Sequence, residues 1–205
     1  MSDALRKLQE RCGAVADGAF GKNTARAIAD HFELNPKRAA HLLGQVVHES
    51  GTFKYTEENL NYSVDACLRV FGKYFKSEEE AKPYARNPKA LANKVYGHRM
   101  GNQDVANGGF LFRGRGFLQM TGYDQYRSFA SDMRLPDVME NPDLVASDYA
   151  MESALHFFRK NNLWSICDRG VTDEVIKKVT SRVNGGYNGL DHRIKETHKI
   201  YDWLK

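Results

Sequence analysis

Apolar residues recur at three- and four-residue intervals through most of this chain, with polar or glycine-rich breaks between the runs. The pattern predicts helices over residues 3–12 and 23–32, on either side of the turn Asp17-Gly-Ala-Phe-Gly21. Asn35-Pro36 supplies an N-cap followed by a proline at the first helical position. It opens a helix whose apolar run, Leu42-Leu-Gly-Gln-Val-Val-His-Glu49, closes at Glu49. Further helices are expected over 63–71 and 78–86, and Asn87-Pro88 opens another that runs to Tyr96. Residues 123–133, 147–160, 172–183 and 191–204 complete the set, with Asp191 as the expected N-cap of the last. Ala150, Ala154, Phe157 and Phe158 fall along one side of the 147–160 helix.

Gly97 to Gly122 has a different character, with seven glycines among Asn and Arg. Such permissive backbone indicates a shaped loop or short-strand region where chain or ligand approaches closely. Within it, Phe112-Arg-Gly-Arg-Gly-Phe-Leu-Gln-Met-Thr-Gly-Tyr123 places Leu118 and Met120 toward a core. Gln119 and Thr121 then share the opposite face of an extended segment, an amide and a hydroxyl suited to sugar hydroxyls and a positioned water. Taken alone, Arg-Gly-Arg-Gly either binds phosphate or fills a turn; it lacks the Gly-Lys-Ser/Thr ending of a Walker loop. Val183-Asn-Gly-Gly-Tyr-Asn-Gly-Leu-Asp-His-Arg193 reads as a helix-to-helix loop. The expectation is a mainly α fold in a single domain over 1–205: a helical N-terminal element, 1–34, and a core, 35–205, with an irregular Gly-rich region in its middle.

Composition adds bounds. With 205 residues, 41% hydrophobic and 27% charged, the chain has the make-up of a globular domain. Net charge +4 and a pI near 8.9 suit an anionic polymer or cell-wall partner and fall short of a nucleic-acid footprint. Apolar runs of a few residues exclude a membrane span, and Met-Ser-Asp-Ala-Leu-Arg-Lys lacks a signal core, so synthesis in the cytosol without general export is expected. Cys12, Cys67 and Cys167 are odd in number and widely spaced, which predicts reduced thiols. Seven histidines form no His-Glu-x-x-His or comparable ligand pair, so no metal or other cofactor is expected, and His48 reads as an orienting or packing residue. The last helix carries Lys195, His198, Lys199 and Lys205 beside Ile194, Ile200, Tyr201, Trp203 and Leu204. It reads as an amphipathic cover for the core, or alternatively as a contact for anionic outer-membrane lipid or wall polymer.

The candidate chemistry centres on Glu49 and Glu58. Glu49 ends an apolar helix, so it loses water on one side, and desolvation disfavours a charged carboxylate, as a proton donor requires. Glu58 lies beyond the break among Glu57, Asn59, Asn61 and Tyr62, where it is expected to stay hydrated and ionised. Two acids in unlike surroundings are the pattern for cleaving a glycosidic bond.

Five segments in order strengthen that reading: His48-Glu-Ser-Gly, Glu58-Asn-Leu-Asn-Tyr-Ser, Val95-Tyr-Gly-His-Arg-Met-Gly-Asn102, Phe112-Arg-Gly-Arg-Gly-Phe-Leu-Gln-Met-Thr-Gly and Asn184-Gly-Gly. Over about residues 35 to 205 the chain resembles the family 19 glycoside hydrolases, and more narrowly their phage endolysin branch, lysozymes that cut host peptidoglycan. The resemblance implies a lysozyme-like helical fold around a catalytic cleft, inversion at the anomeric carbon, Glu49 as proton donor, Glu58 as general base and Thr121 helping to hold the attacking water. Asn61, Tyr62, Tyr96, Gln119 and Asn184 fall on its sugar-contacting positions, and Arg193 on an arginine near the donor, where a cation steadies a charged carboxylate and so works against the desolvation at Glu49. An inverting pair stands roughly 6.5–9.5 Å apart to admit water. The implied partners are peptidoglycan glycan strands and a membrane-permeabilising holin that releases the enzyme from host cytoplasm to the wall; a monomer is the default, with no nucleic acid and no stable membrane insertion. Rival readings are a chitinase, a zinc amidase of the same wall, and a wall-binding protein without turnover. Leu8-Gln-Glu-Arg-Cys-Gly and Asp17-Gly-Ala-Phe-Gly-Lys-Asn-Thr-Ala resemble part of a small peptidoglycan-binding repeat, or else form a packed part of the one domain.

Overall fold

Five helix starts in this chain are set by side chains that accept a backbone N–H left unpaired in the first turn. Asn35 accepts from the Arg38 N–H, Ser63 from Ala66, Ser77 from Glu80, Asn87 from Ala90 and Thr172 from Val175. The computed structural model describes residues 3–205; the first two positions of the expected 1–34 element lie outside them. The helices are α1 (Asp3–Arg11), α2 (Lys22–His31), α3 (Pro36–Glu49), α4 (Val64–Phe71), α5 (Glu78–Ala81), α6 (Pro88–Tyr96) and α7 (Gly108–Leu111). They continue with α8 (Tyr123–Met133), α9 (Asp137–Glu140), α10 (Leu144–Ser147), α11 (Ala150–Lys160), α12 (Trp164–Cys167), α13 (Asp173–Asn184) and α14 (Leu190–Leu204). The fold is mainly α, and pairing between extended segments among the described residues is confined to isolated bridges, Glu57 with Arg115 and Arg115 with Met120.

Local chemistry explains where the elements depart from the sequence pattern. The expected 78–86 helix stops at Ala81 and tightens into a 3₁₀ turn over Lys82–Tyr84, because Pro83 has no N–H to continue the ladder. The expected 147–160 helix begins at Ala150, and Ser147 closes a separate short turn. Asp191 is not the cap of α14: the helix starts one residue earlier, after Gly189 at φ 67°, a left-handed conformation glycine adopts without steric cost.

The chain forms two compact units. The first holds the described residues up to Thr56 with Gly116–Leu118 and Val145–Lys205. Its core joins Leu5, Leu8, Ala25 and Ile28 of the N-terminal helices to Leu42, Leu43, Val46 and Val47 of α3, and to Phe53, Phe117, Met151, Phe158 and Ile200. Burying each of the Leu, Ile, Val, Met and Phe side chains stabilises by about 1.5–3 kcal/mol before the entropy of ordering it is counted. α14 lies against α3 through Gly44, where an added Cβ would sit 2.1 Å from Thr197 Oγ1. Only a glycine lets the two helices approach so closely, and that approach sets the position of Arg193. Elsewhere on α14, Lys199 pairs with Glu196 and Lys205 with Asp202, and His198 Nε2 stands 2.7 Å from Asp173 Oδ1.

The second unit holds Glu57–Arg115 and Gln119–Leu144. Leu60, Cys67, Phe75, Ala81, Leu91, Ala92 and Val95 form its core, with Tyr62 and Phe71 stacked edge to face at 5.2 Å. The glycine-rich segment is a series of tight turns with a 3₁₀ turn and α7 inside it. The cysteines are free thiols; burial pushes Cys167 up to about 12 and Cys12 to about 11.

Candidate active site

In the first unit, Glu49 is the last residue of α3 and keeps a quarter of its side-chain surface open. Arg193, 1% exposed on the facing side of α14, directs its whole guanidinium inward. Nη2 donates to Glu49 Oε1 at 2.5 Å, Nη1 to Gln45 Oε1 at 2.6 Å and Nε to the Asn188 carbonyl at 3.0 Å. Gln45, one turn before Glu49 and fully buried, in turn donates to Thr180 Oγ1 at 3.0 Å. The chain Thr180–Gln45–Arg193 fixes the cation, and the cation fixes one oxygen of Glu49.

Beside them, His48 and His192 stand Nδ1 to Nδ1 at 3.1 Å. Burial holds the His48 imidazole below its ordinary value, and the Arg193 cation lowers it further. Gly189 leaves room for that ring, since a Cβ there would lie 1.9 Å from His48 Cε1. Asn184, at the end of α13, spends its side chain on the same loop: Oδ1 accepts from the Gly186 N–H at 2.9 Å and Nδ2 donates to the Asn188 carbonyl at 3.5 Å.

In the second unit, Glu58 is half-buried and held at both ends of its carboxylate. The Gly114 N–H donates to Oε1 at 2.5 Å, and Tyr96 Oη donates to Oε2 at 2.9 Å. The Glu58 N–H donates in return to the Gly114 carbonyl at 3.0 Å, so main chain and side chain both lock onto one residue. Burial, and then the adjacent carboxylate, push the Tyr96 phenol well above its ordinary value, so it acts here as a donor. A Cβ on Gly114 would meet Gln119 Oε1 at 2.8 Å, Glu58 Oε1 at 3.1 Å and Thr121 Oγ1 at 3.2 Å. Three oxygens from three separate positions thus converge on one bare α-carbon. Thr121 Oγ1 donates to the Gln119 carbonyl at 3.0 Å, which leaves its lone pairs as acceptors.

The backbone reaches this arrangement differently from the expected extended segment. Arg115 and Met120 exchange both main-chain hydrogen bonds, and Gln119 between them is left-handed at φ 53°. Gln119 and Thr121 are brought together by a tight turn, not by alternation along a strand. Arg-Gly-Arg-Gly is structural. Arg113 makes a two-bonded pair with Glu57, and Arg115, 1% exposed, pairs with Asp143 and donates to Tyr126 Oη at 3.0 Å. Glu57 is thereby committed to the two arginines, at 3.0 and 3.5 Å.

Not every expected residue joins a cluster. Asn61 is exposed, with its carbonyl accepting from Arg86, and Tyr62 packs into the core of its unit against Phe71. Gln45, Asn188 and the Gly114 N–H were not foreseen. Gln45 stands four residues before Glu49, on the same helix face, and that spacing is the one signal that pointed to it. Among the described residues no group of three or more His, Cys, Asp or Glu is placed to hold a metal ion.

No family model matches the chain. Solved structures that share its fold include a bacterial family 19 chitinase, 17% identical, covering 97% of this chain and 92% of that one with TM-score 0.56, and chitinase C from Streptomyces griseus, 15% identical, covering 97% and 90% with TM-score 0.56. A glycosyl hydrolase family 19 domain-containing protein of Haemophilus influenzae is 37% identical over 183 residues, 85% of this chain and 86% of that protein. At that identity and coverage, this chain belongs to glycosyl hydrolase family 19.

Proposed function

We propose that this glycoside hydrolase cuts the β-1,4 bond between N-acetylmuramic acid and N-acetylglucosamine in bacterial peptidoglycan, with inversion. Glu58 takes a proton from water as the water oxygen attacks the anomeric carbon; Glu49 gives its proton to the departing glycosidic oxygen. The observation that carries the reading is the convergence of Glu58, Gln119 and Thr121 on Gly114, where a carboxylate fixed by Tyr96 stands beside a hydroxyl with acceptor capacity to spare. The Arg193 contact orients Glu49, the acid at the end of α3. Endolysin action on the host wall, reached through a holin or similar permeabilising partner, fits the phage-branch resemblance.

Chitin is the second reading, because the solved structures that share the fold carry the name chitinase. Mass analysis of digested peptidoglycan beside digested chitin oligomers separates the two. New reducing ends at N-acetylmuramic acid are expected, with activity surviving a strong chelator; freed stem peptides, or turnover of chitin alone, overturn the lysozyme reading. Glu49→Gln should abolish hydrolysis while leaving the circular dichroism spectrum intact, and normal turnover by that variant would remove Glu49 from the donor role.

A further inference from the structure

We infer that the first unit carries a second, non-catalytic binding site: a groove for the carboxylate-bearing part of a glycan. The groove has a volume of about 620 Å³ and lies between α12 and α13 and the loop that follows α13. Arg169, Lys177, Lys178 and Arg182 line it against a single carboxylate, Glu174. Among the described residues none of these four cations is in an ion pair, whereas Arg38, Lys199 and Lys205 on the same unit all have carboxylate partners. The chain's net charge is only +4, so four cations without a carboxylate partner in one groove are a concentration of charge rather than a general basic surface. A concave surface lined by one sign of charge focuses its field and draws the opposite charge.

One further residue points to a sugar. Tyr187 is 53% exposed, lines the groove, and has the Lys177 ammonium 5.0 Å from its ring centre. An exposed ring gives the C–H face of a pyranose a flat apolar surface, while the cations beside it take a carboxylate. Tyr187 also sits in the Gly185–Gly189 loop, whose Asn188 carbonyl accepts from Arg193 and so connects directly to the Glu49 cluster. Stem-peptide carboxylates distinguish peptidoglycan from neutral chitin, so the groove favours the acidic polymer. The inference rests on the glycan-hydrolase reading and adds a determinant of substrate choice to it.

The test is binding to intact peptidoglycan sacculi, measured by cosedimentation on ice, with the same sacculi after carboxyl amidation as control. The parent should bind amidated sacculi about tenfold more weakly, and K177Q/K178Q/R182Q should lose about tenfold on untreated sacculi and nothing further on amidated ones, with raised salt mimicking the loss. Tyr187→Ala should weaken sacculus binding as well, which a simple ion-exchange surface would not show. All four positions are exposed, so the variants should fold, and their turnover of neutral chitin oligomers should stay within about twofold of parent. Parental binding by the triple variant, equal binding to amidated sacculi, or a preference for anionic phosphatidylglycerol vesicles over sacculi would each overturn the inference. Sacculi that are bound in this charge-dependent way but never cut would instead refute the lysozyme activity and leave the groove standing.

Discussion

Arg193→Met tests whether the buried cation holds the Glu49 end of α3 together. Methionine matches the length of the arginine stem but removes all three donated hydrogen bonds, to Glu49, Gln45 and the Asn188 carbonyl. Gln45 Oε1 is then an orphaned buried acceptor, and Glu49 loses its counter-charge. Removing one partner of a buried ion pair costs about 3–5 kcal/mol. Glu49 keeps a quarter of its side-chain surface open, so water recovers part of its solvation, and the lower end, about 3 kcal/mol, is expected. With a urea slope of about 2 kcal/mol/M, the midpoint should fall by roughly 1.5 M. Both tryptophans, Trp164 and Trp203, belong to the first unit, so their fluorescence reports the part of the molecule that changes. In a Glu49→Gln background no carboxylate is left uncompensated, and Arg193→Met should cost at least about 1 kcal/mol less. A loss below about 0.5 kcal/mol, or costs that simply add in the double variant, would refute the argument, because surface changes commonly fall in that range.

Three other predictions bear on the second cluster and on pH. Glu58→Gln should remove most turnover while sparing substrate binding, whereas Glu57→Gln, which disturbs only the exposed side of the arginine pair, should change turnover about twofold or less and stability by about 1 kcal/mol or less; a larger activity loss at Glu57 would mean that the base is wrongly assigned. Gly114→Ala should fold, because the nearest oxygen belongs to the flexible end of Gln119, but it should lower kcat at least about tenfold by displacing the group of oxygens; an unchanged kcat would show that their convergence is incidental. His41 is fully buried and burial holds its pKa below 6.5, so the unfolded chain takes up more protons and stability should fall as pH drops from about 7 to about 5. His48 acts in the same direction, whereas the depressed Asp17, Asp148 and Asp168 act near and below 3.8. Urea midpoints at the two pH values check this, with His41→Gln reducing the difference; equal midpoints in the parent would contradict it.

Much of this protein was legible locally. Asn35-Pro36, Ser63, Asn87-Pro88 and Thr172 mark helix starts within a residue of where they occur, because a cap satisfies backbone groups three positions away. Apolar spacing identified the buried face of α3, and the order of five short segments pointed to the family that the Haemophilus influenzae relative then showed. The misreadings arose where distant residues overrule local preference. Nothing in Phe-Leu-Gln-Met-Thr announces a left-handed Gln119; that follows from closing the turn between Arg115 and Met120. Asp191 is a good cap by type, yet α14 begins before it, after the left-handed Gly189, whose bare α-carbon also leaves room for His48.

What the sequence determined by itself, then, is the longer helices, the candidate acids and the family, since each depends on side-chain type and short spacing; the four-residue helices α7, α9, α10 and α12 were not among them. Tertiary structure alone decided which partner each acid has: Arg193 meets Glu49 across 144 residues, and Gly114 meets Glu58 across 56. Those meetings depend on absent side chains, at Gly44 where α14 approaches α3 and at Gly114 where three oxygens gather. A glycine in a sequence says that the backbone is free or that space is needed, and only the packed chain says what fills that space.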